Sequence, residues 1–394
     1  MVILQFILTI FAAIIAIPFL VLFIESVAAF ANRRQESLSA TLPNTVILMP
    51  AHNEAQLIAH TLTALQTHLN DSINALVIAD NCTDETAEIV KKYAVDLLER
   101  SDQANKGKGF ALDYGLSKLA GNPPEVIVML DADCTVEADG IARLAQLAHT
   151  KQRPIQAVYL MKSPENPSTK DLISAFAFRV KNLVRPKGLY NLNQPCLLTG
   201  SGMAFPWEMI RDAPLASGNI VEDMQLGFDL ALAGHSPLLA PDVLVWGELP
   251  QQSAAATTQR TRWEHGHLQT LLTQVPRLLK GGLAQRRFDL IALAFDLLIP
   301  PLALLVLFWL ASGTIMLTIG LLTGLWLPAI ILALAGVLLF LAIGLAWIGF
   351  GRNDIPLSKL LAIPLYIAWK IPLYFKFLVQ RQTAWVRTDR DSAG

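Results

Sequence analysis

The sequence predicts an α/β domain set between membrane segments. Three observations carry that prediction. Apolar residues are concentrated in the first thirty and last hundred positions of a 394-residue chain. Short β-branched runs alternate with helical stretches from Thr45 onward. One of those runs, Val126-Ile127-Val128-Met129-Leu130, breaks into Asp131-Ala132-Asp133 in a single step. Repeated strand–helix units imply a mainly parallel sheet with helices on both faces. In such sheets ligands sit beyond the carboxyl ends of the strands.

Composition narrows the class further. Hydrophobic residues make up 53% and charged residues 16%, which is apolar for a soluble enzyme. The formal net charge of −1 gives no reason to expect a nucleic-acid partner. Cys82, Cys134 and Cys196 lie far apart, without metal-ligand spacing, and fit a reducing compartment.

Val2 to Ile24 is apolar and long enough to span a bilayer. It lacks a basic leader and a small-x-small cleavage site, so it reads as an uncleaved anchor. Arg33 and Arg34 place its far end in the cytoplasm. A polar linker, 35–44, follows. Thr45 to Met49 is a strand, Pro50 to Glu54 a turn, and Glu54 to Leu69 a helix. Ala75 to Ala79 is the second strand, ending at Asp80. Thr83 or Asp84 caps the next helix. Val95 to Glu99 is a third strand, and Asn105-Lys106-Gly107-Lys108-Gly109 opens a helix through Leu119. The Val126 strand is followed by a helix from Asp139 to His149. Ile155 to Met161 reads as a strand and Ser168 to Leu183 as an amphipathic helix. Leu197 to Phe205 is a strand interrupted by Gly200 and Gly202, a sign of close backbone approach. Ile220 to Leu232 is a helix, Pro241 to Trp246 a strand, and Gln259 to Trp263 opens another helix. Leu297 to Leu317 and Leu327 to Phe350 are spans. Ile355 to Leu378 carries Lys359, Lys370 and Lys376. Burying Lys370 in a span is costly, so the segment reads as an interfacial amphipathic helix. The tail, 381–390, is basic.

Several polar groups fall at strand ends and helix starts. Asp131 and Asp133 can hold a hard divalent cation and, through it, a diphosphate, or simply close a solvated turn. Asp80 suits a base or ribose hydroxyl, or a helix cap. Lys108, at a Gly-flanked helix start, suits a phosphate, or a solvated loop. Glu222-Asp223 offers a general base, or a partner for the helix dipole. Gln259, Arg262 and Trp263 offer a bidentate phosphate donor and a flat face for a sugar, or an Arg/Trp pair at the membrane surface.

The chain carries, in order, PAHNE from Pro50, DNCTD from Asp80, NKGKG from Asn105, DAD from Asp131, TGSG from Thr199, VED from Val221 and QRTRW from Gln259. This series resembles the family-two glycosyltransferases of GT-A fold. It is most similar to their membrane-integrated branch, which includes cellulose, chitin and hyaluronan synthases and ceramide glucosyltransferase. The resemblance covers Thr45 to Trp263. It implies a GT-A, Rossmann-like domain for a nucleotide sugar, although no G-x-G-x-x-G or Walker A sequence is present. It assigns Pro50, His52, Glu54, Asp80, Lys108 and Asp131 to the nucleotide, and Asp131 with Asp133 to Mg2+ or Mn2+. Asp223 becomes the base, beside Glu222. Gln259, Arg262, Trp263 and the turn Gly200-Ser201-Gly202 serve the diphosphate and acceptor. VED stands where relatives often have TED, and His52 where Tyr is frequent; neither removes a charge the chemistry needs.

The resemblance implies an inverting transfer from a nucleoside diphosphate sugar, UDP before GDP, and the interfacial segment Ile355 to Leu378, set near the acceptor entrance, suggests a lipid or lipid-linked saccharide as acceptor. The alternatives are a processive polysaccharide synthase and a non-catalytic nucleotide-binding scaffold. The expected organisation is an anchor over 1–31, a cytoplasmic catalytic domain over 32–276 and a membrane region over 277–394. The expected setting is a bacterial inner membrane, with the oligomeric state left open, a homo-oligomer included.

Overall fold

The computed structural model describes residues 1–33, 41–164, 166–216, 221–248 and 253–379. Arg34, residues 35–40 of the linker, Ile220 and the 381–390 tail lie outside the described residues.

In chain order the elements are α1 (Val2–Ala28), β1 (Thr45–Ala51), α2 (Ile58–Leu65), β2 (Ile73–Asp80), α3 (Thr86–Val90), β3 (Asp96–Arg100) and α4 (Lys108–Leu119). Then come β4 (Val126–Met129), β5 (Cys134–Val136), α5 (Gly140–Lys151), β6 (Ile155–Lys162), α6 (Thr169–Arg179) and α7 (Arg185–Asn191). The second half holds β7 (Met203–Pro206), α8 (Trp207–Ile210), α9 (Glu222–Leu232), β8 (Leu238–Glu248) and α10 (Ser253–Gln285). The chain continues through α11 (Phe288–Leu297), α12 (Leu302–Thr323), α13 (Leu327–Phe350), α14 (Leu357–Leu360) and α15 (Ile363–Val379).

Two compact units result. One holds the described residues of 41–164, 195–216, 221–248 and 253–266. Its sheet has the order β3-β2-β1-β4-β7-β6-β8-β5. The first four strands are parallel, as the strand–helix alternation predicts. The sheet then turns mixed: β7 runs antiparallel to both β4 and β6, and β5 antiparallel to β8. The expected strand from Leu197 shrinks to Met203–Pro206, because Gly200 (φ 94°) and Gly202 (φ 68°) take left-handed conformations that no strand accommodates. Alternation fixes which side chains face each helix layer. Leu48, Ile78, Ile127 and Met129 pack with Leu112 and Leu116 of α4 and with Leu226 and Leu230 of α9. Their strand neighbours Ile47, Val77 and Val128 are buried as well, so both faces of the sheet are covered. Helix α5 buries Ile141, Leu144, Ala145 and Ala148, one stripe at i, i+3, i+4 and i+7.

The second unit holds the described residues of 1–33, 166–194 and 267–379 and is helical. Three of the described helices, α1, α12 and α13, are long and apolar enough to cross a membrane. Their presence makes this a membrane-associated protein. The second expected span starts later than Leu297, because Pro300 and Pro301 separate α11 from α12. Residues 166–194 and 267–276, which the sequence reading gave to the 32–276 domain, belong to this helical unit. A capping box between Ser168 and Asp171 starts α6. A π-turn at Val180–Val184 carries the chain into α7. Ile173, Phe176, Val180 and Val184 of this run join Phe19 and Leu22 of α1 and Leu339 and Ala342 of α13 in one apolar cluster. In 355–378, α15 buries Lys370, its ammonium 5.1 Å from the centre of the Tyr366 ring.

Candidate active site

Strands β1, β2 and β4 are parallel neighbours in register, with Leu48 opposite both Leu76 and Met129 and Ala51 opposite Ala79. Their carboxyl ends therefore meet on one edge, and PAHNE, DNCTD and DAD meet with them. Strand β1 runs on through Pro50 to Ala51, so the turn begins at His52. Asn53 (φ 54°) and Asn81 (φ 52°) turn the chain at the two strand ends; Asn tolerates this conformation better than most residues. The two turns are tied together. Thr83 N donates to Asn53 Oδ1 at 2.6 Å, Glu54 N to Thr86 Oγ1 at 2.7 Å, and Ala55 N to Asp84 Oδ2 at 3.1 Å. His52 Nδ1 donates to the Asp80 carbonyl at 2.6 Å.

Asp80 is buried, and its Oδ1 receives Arg100 at 2.6 Å and Asn81 Nδ2 at 3.1 Å. Arg100 stands opposite Asp80 on β3 and also pairs with Asp102 at 3.0 Å. The carboxylate is thus set in place by a neighbouring cation before any ligand arrives. Sequence reading passed over Arg100, although a basic residue ending a parallel strand beside Asp80 was a usable signal.

The DAD side is built around Lys108. Gly107 (φ 121°) turns the chain into α4, and Lys108 follows as its first residue. Its Nζ lies 2.5 Å from Asp131 Oδ1 and donates to the Gly200 carbonyl at 2.6 Å. Lys108 thus ties the first carboxylate of DAD to the TGSG turn. Burial disfavours its charge, but Asp131, Glu222 and Asp223 outweigh that and hold its pKa above the usual lysine value. Asp131 N donates to Ser201 Oγ at 3.1 Å. A methyl group added at Gly200 would stand 3.2 Å from Asp223 Oδ2 and 3.7 Å from Lys108 Nζ. Gly200 therefore lets three elements close on one point: the start of α4, the end of β4 and the first turn of α9. Glu222, beside Asp223, is pushed up to about 7 by burial first and by the Asp223 charge second.

Gln259, Arg262 and Trp263 lie within α10 and do not open it. The spacing i, i+3, i+4 puts them on one helix face. Gln259 Oε1 and Arg262 Nε are buried and have no hydrogen-bond partner among the described residues. Burial lowers the Arg262 pKa, while Glu222, Asp131, Asp223 and Asp133 pull it up. The buried Nε–H of Arg262 is a donor that could serve an anionic ligand.

The residues also fit a divalent cation. Asp131, Asp133 and Cys134 can each bring a ligand atom within 4.8 Å of the others. The two carboxylates are hard oxygen donors, suited to Mg2+ or Mn2+. The soft sulfur of Cys134, whose thiol pKa burial raises, matches these hard ions poorly.

Residues 43–266 match the family model described as Glycosyltransferase like family 2. That match spans more than half of the chain. The chain belongs to this family. Among curated relatives, this glycosyltransferase is 26% identical to the probable glycosyltransferase YdaM of Bacillus subtilis (strain 168), over 63% of its own length and 61% of the relative's. It is 24% identical to the poly-beta-1,6-N-acetyl-D-glucosamine synthase of Staphylococcus aureus (strain COL), over 68% of its own length and 64% of the relative's. It thus spans less than two thirds of the length of these relatives. The fold resembles that of mannosyltransferase PcManGT from Pyrobaculum calidifontis, solved in complex with GDP-Man and Mn2+. That likeness has a TM-score of 0.54 and 19% identity, and covers 95% of this chain and 100% of the other. The sheet unit is accordingly a GT-A type domain flanked by membrane helices.

One strand residue of this glycosyltransferase is absent from every motif that the sequence reading used. Gln156 on β6 is buried; its Nε2 donates to the Ser201 carbonyl at 2.9 Å and its Oε1 accepts from Thr199 N at 2.8 Å. A lone amide in the apolar run Ile155 to Met161 was the available signal.

Proposed function

We propose that this glycosyltransferase inverts the anomeric centre in a single displacement. The donor is a nucleoside diphosphate sugar, with UDP ahead of GDP, and the acceptor a lipid or lipid-linked saccharide at the membrane. The observation that carries the reading is the meeting of Lys108, Asp131 and Asp223 around Gly200. Asp223 takes the proton of the acceptor hydroxyl as that oxygen bonds to the anomeric carbon. The bond from that carbon to the diphosphate oxygen breaks, and the nucleoside diphosphate leaves with the electron pair. Asp131 and Asp133 would hold Mg2+ or Mn2+, which when bound supplies charge neutralisation for the leaving diphosphate. Arg262 turns its orphaned Nε–H to the same diphosphate, Gln259 would meet it through its amide N–H donors, and Trp263 offers a face to the acceptor. Asp80 and His52 shape the nucleotide end of the cleft. Arg33 after α1 and Arg352 after α13 support a topology with the chain between α1 and α12 on the cytoplasmic side of a bacterial inner membrane.

The named Staphylococcus aureus relative favours a second reading, a processive polysaccharide synthase. Product size separates the two. Membranes holding the full chain are given radiolabelled UDP-N-acetylglucosamine, UDP-glucose or GDP-mannose with a lipid extract. A single labelled species in the organic phase supports transfer to lipid, and a ladder or high polymer supports the synthase. Label found solely in a small water-soluble product overturns the lipid acceptor. Chelation with EDTA is expected to stop transfer and added Mn2+ to restore it.

A further inference from the structure

We infer that Gln156 is a positioning residue for the transfer reaction, acting through the TGSG turn on Lys108, Asp131 and Asp223. The turn has no regular structure of its own. Two of its four residues, Gly200 and Gly202, are left-handed, and Thr199 N and Ser201 O lie outside the strand ladder. Gln156 supplies what the ladder cannot. One side chain bridges the turn from the inside, accepting from Thr199 N at 2.8 Å and donating to Ser201 O at 2.9 Å. Its Nε2 also donates to the carbonyl of Ala157 at 2.8 Å, which fixes the amide orientation. The backbone completes the clamp: Gly202 N donates to Met129 O at 3.0 Å and Ala157 N to Gly202 O at 2.8 Å.

Between the two atoms that Gln156 holds lies Gly200. Its carbonyl is the acceptor for Lys108, and its Cα faces the Asp223 carboxylate. The next residue, Ser201, is fully buried and accepts from the backbone N–H of Asp131. A shift of the turn would therefore move the ammonium, the first carboxylate of DAD and the crowding against Asp223 together. Positioning errors of this kind cost rate more than affinity, since the reacting atoms must be aligned closely while the donor keeps its contacts at the Asp80 and His52 end of the cleft.

This inference rests on the proposed transfer reaction, and the experiment separates the two. The full chain is placed in lipid nanodiscs with Mn2+ and lipid extract, and nucleotide release is followed from UDP-N-acetylglucosamine or GDP-mannose, whichever turns over. Gln156→Met keeps length and volume but removes both polar atoms. Gln156→Glu keeps the acceptor for Thr199 and sets an oxygen against the Ser201 carbonyl. Both are expected to lower kcat about 10- to 100-fold while donor KM moves less than about threefold. Asp223→Asn is run beside them. If Asp223→Asn leaves transfer intact, the proposed reaction fails. If Asp223→Asn abolishes transfer but a folded Gln156 variant keeps wild-type kcat, or loses rate through KM alone, only the role of Gln156 is overturned. Failure of both Gln156 variants to fold would make the residue structural and would overturn it equally.

Discussion

In the sheet unit, Lys108 and Asp131 form a pair whose side chains keep 21% and 29% of their surface exposed, with Asp223 across Gly200. In the helical unit, Arg185 pairs with Asp296 at 2.5 Å and with Glu25 at 3.3 Å, and all three side chains are 5% exposed or less. Both clusters set basic against acidic groups. They differ in what their surroundings permit. The first lies at the open ends of parallel strands, beside a turn of left-handed glycines and the buried, unpartnered atoms of Gln259 and Arg262. The second is sealed by apolar helices, and α7 packs so tightly on α1 that a side chain at Gly188 would collide with the Glu25 carbonyl. An open cluster can exchange partners with a ligand. A sealed one can only join helices, because each charge depends on the other for solvation.

The strongest way to break this comparison is Asp223→Asn. Loss of the base should lower transfer about 10²- to 10⁴-fold with donor binding and thermal midpoint unchanged. Titration with the nucleotide and a melt in detergent check the two controls; a parallel drop in midpoint would make the open cluster structural after all. Arg185→Met tests the sealed cluster. It leaves Glu25 and Asp296 buried without their cation, and should cost about 3–5 kcal/mol of stability. The melt should fall sharply while the fraction that remains folded turns over at the wild-type rate. A folded variant that is inactive would give Arg185 a part in chemistry.

Gly200→Ala has a smaller expected effect. A left-handed alanine costs about 1–2 kcal/mol, and the methyl would press on Asp223 Oδ2. A drop in kcat of about tenfold, with the midpoint lowered by only a few degrees, is the outcome to look for. The smallest effect concerns pH. Glu222 has its pKa raised to about 7 in the folded chain. A carboxyl with a raised folded pKa binds more protons folded than unfolded, so its contribution is fully present below the ordinary carboxylate range and is lost as pH rises to about 7. Stability should therefore slope downward with pH through that window, and Glu222→Gln should flatten the slope. An unchanged slope in the variant would assign it to other groups.

Much of the open cluster was legible in the sequence. An apolar strand that ends in two carboxylates, an acidic pair at a helix start, and Gln259, Arg262 and Trp263 at helical spacing are all local patterns. Period and hydrophobicity fix where strands and helices end, and that placed Asp80 and Asp131 at strand ends and Asp223 at a helix start. The partners were not legible. Arg100 reaches Asp80 through strand pairing, Lys108 turns to Asp131 and not outward, and Gln156 enters the site from across the sheet. Apart from the basic residue that ends β3, nothing in the sequence near these residues names a partner.

The sequence by itself determined a strand–helix domain with membrane helices at both ends, and α1 and α13 were read almost to their boundaries. A long apolar run has few alternatives to a helix in a membrane, so the local signal suffices. Only the tertiary structure decided that 166–194 belongs with the helices, that Lys370 is buried, that the sheet turns mixed beyond β4, and that one glycine turn gathers the charged groups of the site. These are outcomes of packing between distant segments, where the partner's shape and charge set the energy and the spacing along the chain does not.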